Sequence, residues 1–541
     1  MNVNSLSASP PFPAAVSAQL RLAYEKYADA FWMVALAIIA LWYALQYNII
    51  LQVVPHDTTF HIYAAQQILE GHPIYRDVAI IKAPLADFVT AFALLVSRAL
   101  RISDVMGARL MSLCIAVATT GVTYLAGRVL FRSRAAGVLA GLIMAGWDFY
   151  GLRAITGPEP KAFLILFALL TLICIAQKRW LAAGICAALT TLSWQPGLML
   201  AAIAFAAALA APTLASTSEF FRVHPRSSAS NFLKALVGFA APFLVLFFYL
   251  VTNDAHTAAW NATIGANVTY FAATQARTPL AEIISANYVE MFSEGEQFCF
   301  SPLEHWLVVS GALGFFGILG AQLYAAVRAK RLPINLEHTP LILYTFGFAA
   351  FSFIDFDYCP DIFPIYPVLA LCVGWLGGQA ARVISKATTR WLAPARAQFL
   401  VSALLAVLLF GIYILDVRAY RVVGGNFQDQ MDVVVAASAY LLPHDHVLSF
   451  GDAIVPVTLH LRNSTKILHL GSKSGLGVLA NEPGGVQGMI DALDRDPPKL
   501  VTLSRENFPE WSQPFYEWLA RRYVPGAEFP RANMRILILK Q

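Results

Sequence analysis

Asp57 stands directly after the first long apolar run of the chain, where a carboxylate meets a membrane interface instead of open water. A carboxylate in that position has two uses. It can cap the helix that follows, as Asp commonly does at an N-cap, or it can take a proton as a general base at the bilayer edge. Glu159 lies between Pro158 and Pro160 at the mouth of a later apolar run. Desolvation is costly there and acidic groups are functional by default, so Glu159 is either a boundary carboxylate or a ligand contact. Asp148, at the end of the neighbouring run, carries the same two readings. His56, His61 and His72 share the loop after the first run, but neither their spacing nor a carboxylate partner fits a zinc motif, so surface or ligand contacts are expected of them. None of the six cysteines has C-x-x-C spacing. No metal and no other cofactor is therefore expected.

The elements that must position these residues are membrane helices. The 541 residues are 58% hydrophobic and 13% charged, with a mean hydropathy of +0.60, against roughly 25% charge in an ordinary soluble domain. Apolar sequence fills the first four-fifths of the chain, which excludes a secreted enzyme, a disordered chain and a single-pass receptor. Runs of about 17 to 25 residues, the length that spans a hydrocarbon core, number eleven. They lie near 31–54, 105–126, 135–150, 162–176, 180–193, 198–215, 235–252, 303–327, 339–355, 361–380 and 398–416.

Placing the N-terminus inside assigns seventeen Lys and Arg residues to cytoplasmic loops, among them Arg128, Arg132, Arg134, Lys178, Arg179, Lys234, Arg328 and Arg382. The opposite side then holds Arg76, Lys82, Arg98, Arg101, Arg153, Lys161 and Arg277 before the tail, as the positive-inside rule requires. The net charge of +5 thus reads as topology, not as a nucleic-acid partner. The expected fold is a polytopic α-helical membrane protein: a cytoplasmic tail over 1–30, a transmembrane domain over 31–416, and a small extracytoplasmic α/β domain over 417–541. In the tail, β-rich runs at 446–450, 466–470, 499–504 and 534–539 alternate with helical patterns. The first external loop spans 55–104, and a second, over 253–302, is rich in acidic and aromatic residues such as Glu282, Glu290, Glu294, Glu296, Trp260 and Tyr288. Gly311, Gly314, Gly317 and Gly320 repeat every third residue, which predicts close helix packing. Cys299 and Cys359 fall in or beside external loops, where a disulfide is permitted but not required. Asp355-Phe356-Asp357 has the D-x-D form that holds a metal and a nucleotide sugar, yet it lies on the side without nucleotides. A P-loop is absent, which counts against an ATP-driven pump.

Asp57 followed by Phe60-His61-Ile62-Tyr63-Ala64-Ala65, then Gly71-His72-Pro73-Ile74-Tyr75-Arg76-Asp77 and Lys82-Ala83-Pro84-Leu85, resembles the first external loop of the GT-C membrane glycosyltransferases. These include the protein O-mannosyltransferases and the aminoarabinose transferases. Gly157 to Phe163, Gln195-Pro196-Gly197-Leu198 and Tyr358 to Pro367 are similar to later segments of that superfamily, so the resemblance covers about residues 31 to 416. The sequence departs from it at Thr58, where many relatives carry a second acid, and at Ile81 and Ala83, which alter the pattern around Lys82.

The resemblance implies transfer of a sugar from a polyprenyl-phosphate donor to a lipid, glycan or protein acceptor of the cell envelope, in the plasma membrane (the inner membrane of a bacterium). A phosphate leaving group needs cations, not a general acid. One base then suffices and inversion is expected. On that reading Asp57 is the base, and Lys82, helped by Arg76 or Arg153, holds the phosphate unless it merely snorkels to the interface. Glu159, Asp148 and His61 then contact sugar or acceptor. The competing reading is a multi-pass transporter or flippase for a lipid-linked or small solute. It predicts charges near mid-membrane and broken helices in matching halves, whereas here the charges gather at one face.

Overall fold

A backbone surrounded by lipid must satisfy its own hydrogen bonds, so long apolar runs with few charges fold as helices. The computed structural model describes residues 14–215, 225–274, 278–292, 300, 302–329, 335–355, 359–387, 403–404, 406–407, 410–411, 426–469, 473–504 and 512–540. The chain begins with α1 (Ala14–Gln46), then two helices of the first loop, α2 (His56–Leu69) and α3 (Leu85–Ala99). A bundle follows: α4 (Asp104–Phe131), α5 (Arg134–Ala145), α6 (Asp148–Thr156), α7 (Pro160–Ala176), α8 (Trp180–Ser193), α9 (Leu198–Ala215) and α10 (Pro225–Thr252). Beyond it come α11 (His256–Trp260), α12 (Ala266–Thr274), α13 (Leu280–Phe292), α14 (Pro302–Ala329), α15 (Thr339–Ile354) and α16 (Tyr366–Ala387).

Each expected run up to residue 380 falls on an apolar helix, but their lengths differ. Among the described residues, five stretches are long and apolar enough to cross a membrane: Tyr27–Gln46, Asp104–Phe131, Ser227–Thr252, Leu303–Ala329 and Cys359–Ile384. Helices α5 and α6 make a sixth if counted as one span bent by 65°, and four other apolar helices are only 10–17 residues long. The run expected near 398–416 lies largely outside the described residues.

Three of the four glycines in the α14 repeat serve packing, as their spacing indicates, while Gly320 faces open space. A side chain at Gly311 would meet Leu369, at Gly314 the Cys372 carbonyl, and at Gly317 the Trp375 ring, so α14 lies directly against α16. Cys359 is disulfide-bonded while Cys114, Cys174, Cys186 and Cys372 are free; Cys299 lies outside the described residues.

The C-terminal region contains α17 (Phe427–Ser438), β1 (Val447–Phe450), α18 (Ile454–Leu459), α19 (Lys473–Leu479), α20 (Gly485–Arg495), β2 (Leu500–Ser504), α21 (Gln513–Arg522), β3 (Tyr523–Phe529) and β4 (Met534–Leu539). Its sheet runs β1-β2-β4-β3, with β1 and β2 parallel and the other pairs antiparallel. Two sequence expectations change here. Of the run expected as a strand at 466–470, residues 466–469 stay irregular, with the Lys466 and Leu468 carbonyls taken singly by the amides of Ala79 and Gly451, and residue 470 lies outside the described residues. A strand absent from the sequence reading, β3, forms across Pro525 and Gly526 because a bulge between Pro525 and Ala527 absorbs them.

This domain is docked tightly on the first loop. The Gln430 side chain accepts from the Val54 amide and donates to the Val54 carbonyl and to Asp452 Oδ2, each at 2.9 Å. Thr59 Oγ1 accepts from the Ala453 amide, and Tyr63 Oη from the Asn463 amide. Ile62, Tyr63 and Leu94 of the loop share one apolar core with Val433, Val447, Ile454 and Ile536. Arg109, buried in α4, donates to the carbonyls of Ile49, Ile50 and Gln52 and lies over the Phe427 ring, tying the bundle to the same junction. At the opposite end of the bundle Asp29 pairs with Arg128 and Arg134, and Arg132 with Glu337.

Candidate active site

Asp57 falls in the first turn of α2, where a carboxylate also suits the helix dipole. It does not cap the helix: Pro55 holds the N-cap position and no side chain makes a capping bond there. Its carboxylate, 47% exposed, instead receives His56 Nε2 at 3.0 Å on Oδ1 and stands 3.7 Å from Lys82 Nζ on Oδ2. Burial alone would raise the pKa of Asp57, but Lys82 and His56 outweigh it and hold the carboxyl well below the usual range. Burial likewise works against charge on Lys82. Asp57, followed by Glu159, Asp361 and Asp87, overcomes it and raises the pKa of the ammonium.

The segment carrying Lys82 is fixed from several directions. Tyr75 Oη donates to the Lys82 carbonyl at 2.9 Å, Gln195 Nε2 donates to the Ile81 carbonyl at 2.6 Å, and the Ala79 amide bonds the Lys466 carbonyl of the C-terminal domain. Glu159 enters from the α6–α7 turn. It is 8% exposed and caps α7 by accepting from the Lys161 amide, so the boundary role is real, and its charge also acts on Lys82. That turn approaches α2 closely because Gly157 has no side chain: a methyl there would overlap Thr58 Cγ2.

Three participants escape the sequence reading. Lys161 and Asp361 form a buried pair at 2.6 Å, with the Lys161 ammonium 4.8 Å from the centre of the Trp194 ring. The pair joins the Gly157–Phe163 and Tyr358–Pro367 segments, so the signal for it was two separately noted motifs with nothing to link them. His469, from the C-terminal domain, stacks edge-on against His56 and Phe60 at 5.5 and 5.6 Å. One ligand atom from each of His56, Asp57 and His469 lies within 4.8 Å of the others. Two imidazoles and a carboxylate suit a divalent cation such as zinc. Local spacing could not show this group, because the third member belongs to another domain.

The remaining expected site residues make other contacts. His61 is buried with its Nδ1 2.6 Å from Asp87 Oδ1. His72 lies 3.6 Å from Asp77. Arg76 makes a two-bond pair with Asp77 and donates to the Asn253 carbonyl. Arg153 lies over the Phe149 ring at 5.8 Å. Asp148 is buried at the start of α6, receiving Tyr47 Oη at 2.6 Å while its amide donates to Glu304. The structure therefore gathers Asp57, Lys82 and Glu159 and gives Arg76, Asp148 and His61 partners of their own. Of the D-x-D, Phe356 and Asp357 lie outside the described residues, as do Glu294, Glu296 and Arg277.

The helical bundle, the helical first loop with a carboxylate and a lysine at the bundle's mouth, and the small α/β domain docked over them together make a fold shared with solved structures of membrane enzymes. No family model matches the chain, and no curated protein matches it in sequence. Among solved structures it is similar to ArnT from Cupriavidus metallidurans in the apo state, at 16% identity and a TM-score of 0.54, covering 94% of this chain and 98% of that one. It is also similar to the archaeal oligosaccharyltransferase AglB from Archaeoglobus fulgidus in complex with an inhibitory peptide and a dolichol-phosphate. That match has 14% identity and a TM-score of 0.52, covering 88% of this chain and 69% of that one.

Proposed function

We propose that this protein is a membrane glycosyltransferase that moves a sugar from a polyprenyl-phosphate donor to a hydroxyl-bearing acceptor outside the cytoplasm. The observation that carries the reading is the Asp57–Lys82 pair: an ionised, half-exposed carboxylate 3.7 Å from an ammonium group at the mouth of a GT-C bundle. The presence of dolichol-phosphate in the AglB complex supports a lipid-phosphate donor for this fold. Asp57 takes the acceptor hydroxyl proton as its oxygen attacks the anomeric carbon. The bond from that carbon to the phosphate oxygen breaks, and its electron pair leaves with the lipid phosphate. Lys82 stabilises the growing negative charge, so no proton donor is needed. Attack from the face opposite the departing phosphate inverts the anomeric centre.

The charges of Glu159 and Asp361 add to that of Asp57 in keeping Lys82 protonated. His56, Asp57 and His469 are the residues that would hold a divalent cation, which would add positive charge beside the leaving phosphate. The test is transfer by the purified full-length protein, offered a panel of polyprenyl-phosphate sugars. Asp57→Asn keeps the shape of the side chain but not its basicity, so turnover should fall by at least about 10²-fold while donor still binds. Undiminished transfer by Asp57→Asn would remove the base from the proposal.

A further inference from the structure

At the other end of the bundle, the turn between α7 and α8 borders an open surface depression of about 530 Å³ lined by Lys178, Arg179, Trp180, Leu181, Ala182, Asn231 and Lys234. We propose that it binds the head group of an anionic phospholipid. Three cations line it, and among the described residues no acidic one does. The first turn of α8 also forms part of the wall. Arg179 occupies the N-cap of α8 without a side-chain capping bond, so backbone N–H groups of that first turn supply donors beside the cations.

The geometry is set before any ligand arrives. Helices α8 and α10 touch backbone to backbone, because a side chain at Gly184 would overlap the Ala235 carbonyl and one at Gly238 the Leu181 carbonyl. That contact fixes Lys234 of α10 relative to Arg179 and the start of α8.

The surroundings choose between a lipid and a free anion. Lys234 belongs to the span Ser227–Thr252, whose apolar stretch is only 11% buried within the protein. Leu181, Leu233 and Val237 are exposed beside the depression. A phosphate held by the three cations would thus have open apolar surface next to it, where acyl chains can lie, whereas inorganic phosphate would leave that surface uncovered. Basic pockets between membrane helices are suited to phospholipid head groups on these grounds.

The experiment uses the full-length protein, delipidated in detergent, with binding read by native mass spectrometry and by the thermal midpoint. Cardiolipin or phosphatidylglycerol should bind and raise the midpoint, while phosphatidylcholine and inorganic phosphate at matched phosphorus should not. Removing all three charges in Lys178→Gln/Arg179→Gln/Lys234→Gln should weaken cardiolipin binding on the order of 100-fold, about five-fold per cation. Lys234→Arg should bind close to the wild-type level. If the triple variant does not fold, Lys234→Gln read against Lys234→Arg decides, and equal affinities overturn the site. Retained binding by a folded triple variant overturns it too, and an equal midpoint shift with inorganic phosphate overturns the lipid assignment. None of these readouts depends on sugar transfer.

Discussion

Asp57 and Lys82 each set the charge of the other, and this has a consequence for the pH dependence of transfer. In the intact protein Lys82 and His56 together overcome the effect of burial and keep Asp57 ionised below the ordinary carboxylate range. Lys82→Met keeps the apolar stem and removes the charge. Burial, which raises the pKa, is then opposed by His56 and His469 without the lysine. The acid limb of kcat/KM should therefore move to higher pH in Lys82→Met, measured with a donor concentration that compensates for weaker binding. An unmoved limb would show that Lys82 does not govern the ionisation of the base. Both residues were visible in the sequence because one loop carries them at the edge of an apolar run. His469 and Asp361 were not, since each reaches the site only through folding: the first from a separate domain, the second through a buried lysine that looked like an ordinary interfacial charge.

At the scale of elements, helix positions were legible and helix reach was not. Apolar runs locate α4 or α10 well, because every backbone group within them must bond internally. Whether a short helix such as α8 crosses alone, or α5 and α6 cross as one bent span, depends on neighbours that a run of residues does not encode. The glycines show the same division. The repeat in α14 announces packing by its period, but the role of the single Gly157 emerges only against Thr58 on α2. That contact gives a test of how the α6–α7 turn holds Glu159 near Lys82. Gly157→Ala should be destabilising by about 1–3 kcal/mol through overpacking, seen as a lower thermal midpoint and reduced turnover. Thr58→Ser removes the methyl that would clash, so the double variant should recover most of the loss. Additive losses in the double variant would place the strain elsewhere in the turn.

For the whole molecule, the docked C-terminal domain fixes sidedness. Gln430 bridges Val54 and Asp452, and the α2 core continues into that of the domain, so Asp57 and residues 426–540 must lie on one side of the membrane. In the sequence, β-rich runs alternating with helical patterns give the expectation of a small α/β domain, and the excess of Lys and Arg in the loops of the opposite end gives the expectation that it lies outside the cytoplasm. The sequence did not foresee that the domain closes over the loop, because buried amide networks leave no mark in a hydropathy pattern. The two lines of reasoning are independent and meet in one measurement. A reporter active only outside the cytoplasm should work when fused after Gln541 or inserted in the first loop, and should fail when fused after Ala329 at the end of α14. Activity after Ala329 alone would invert the protein in the membrane but leave the site intact. Opposite results at Gln541 and in the first loop would separate the domain from Asp57, and with it His469 from the candidate active site.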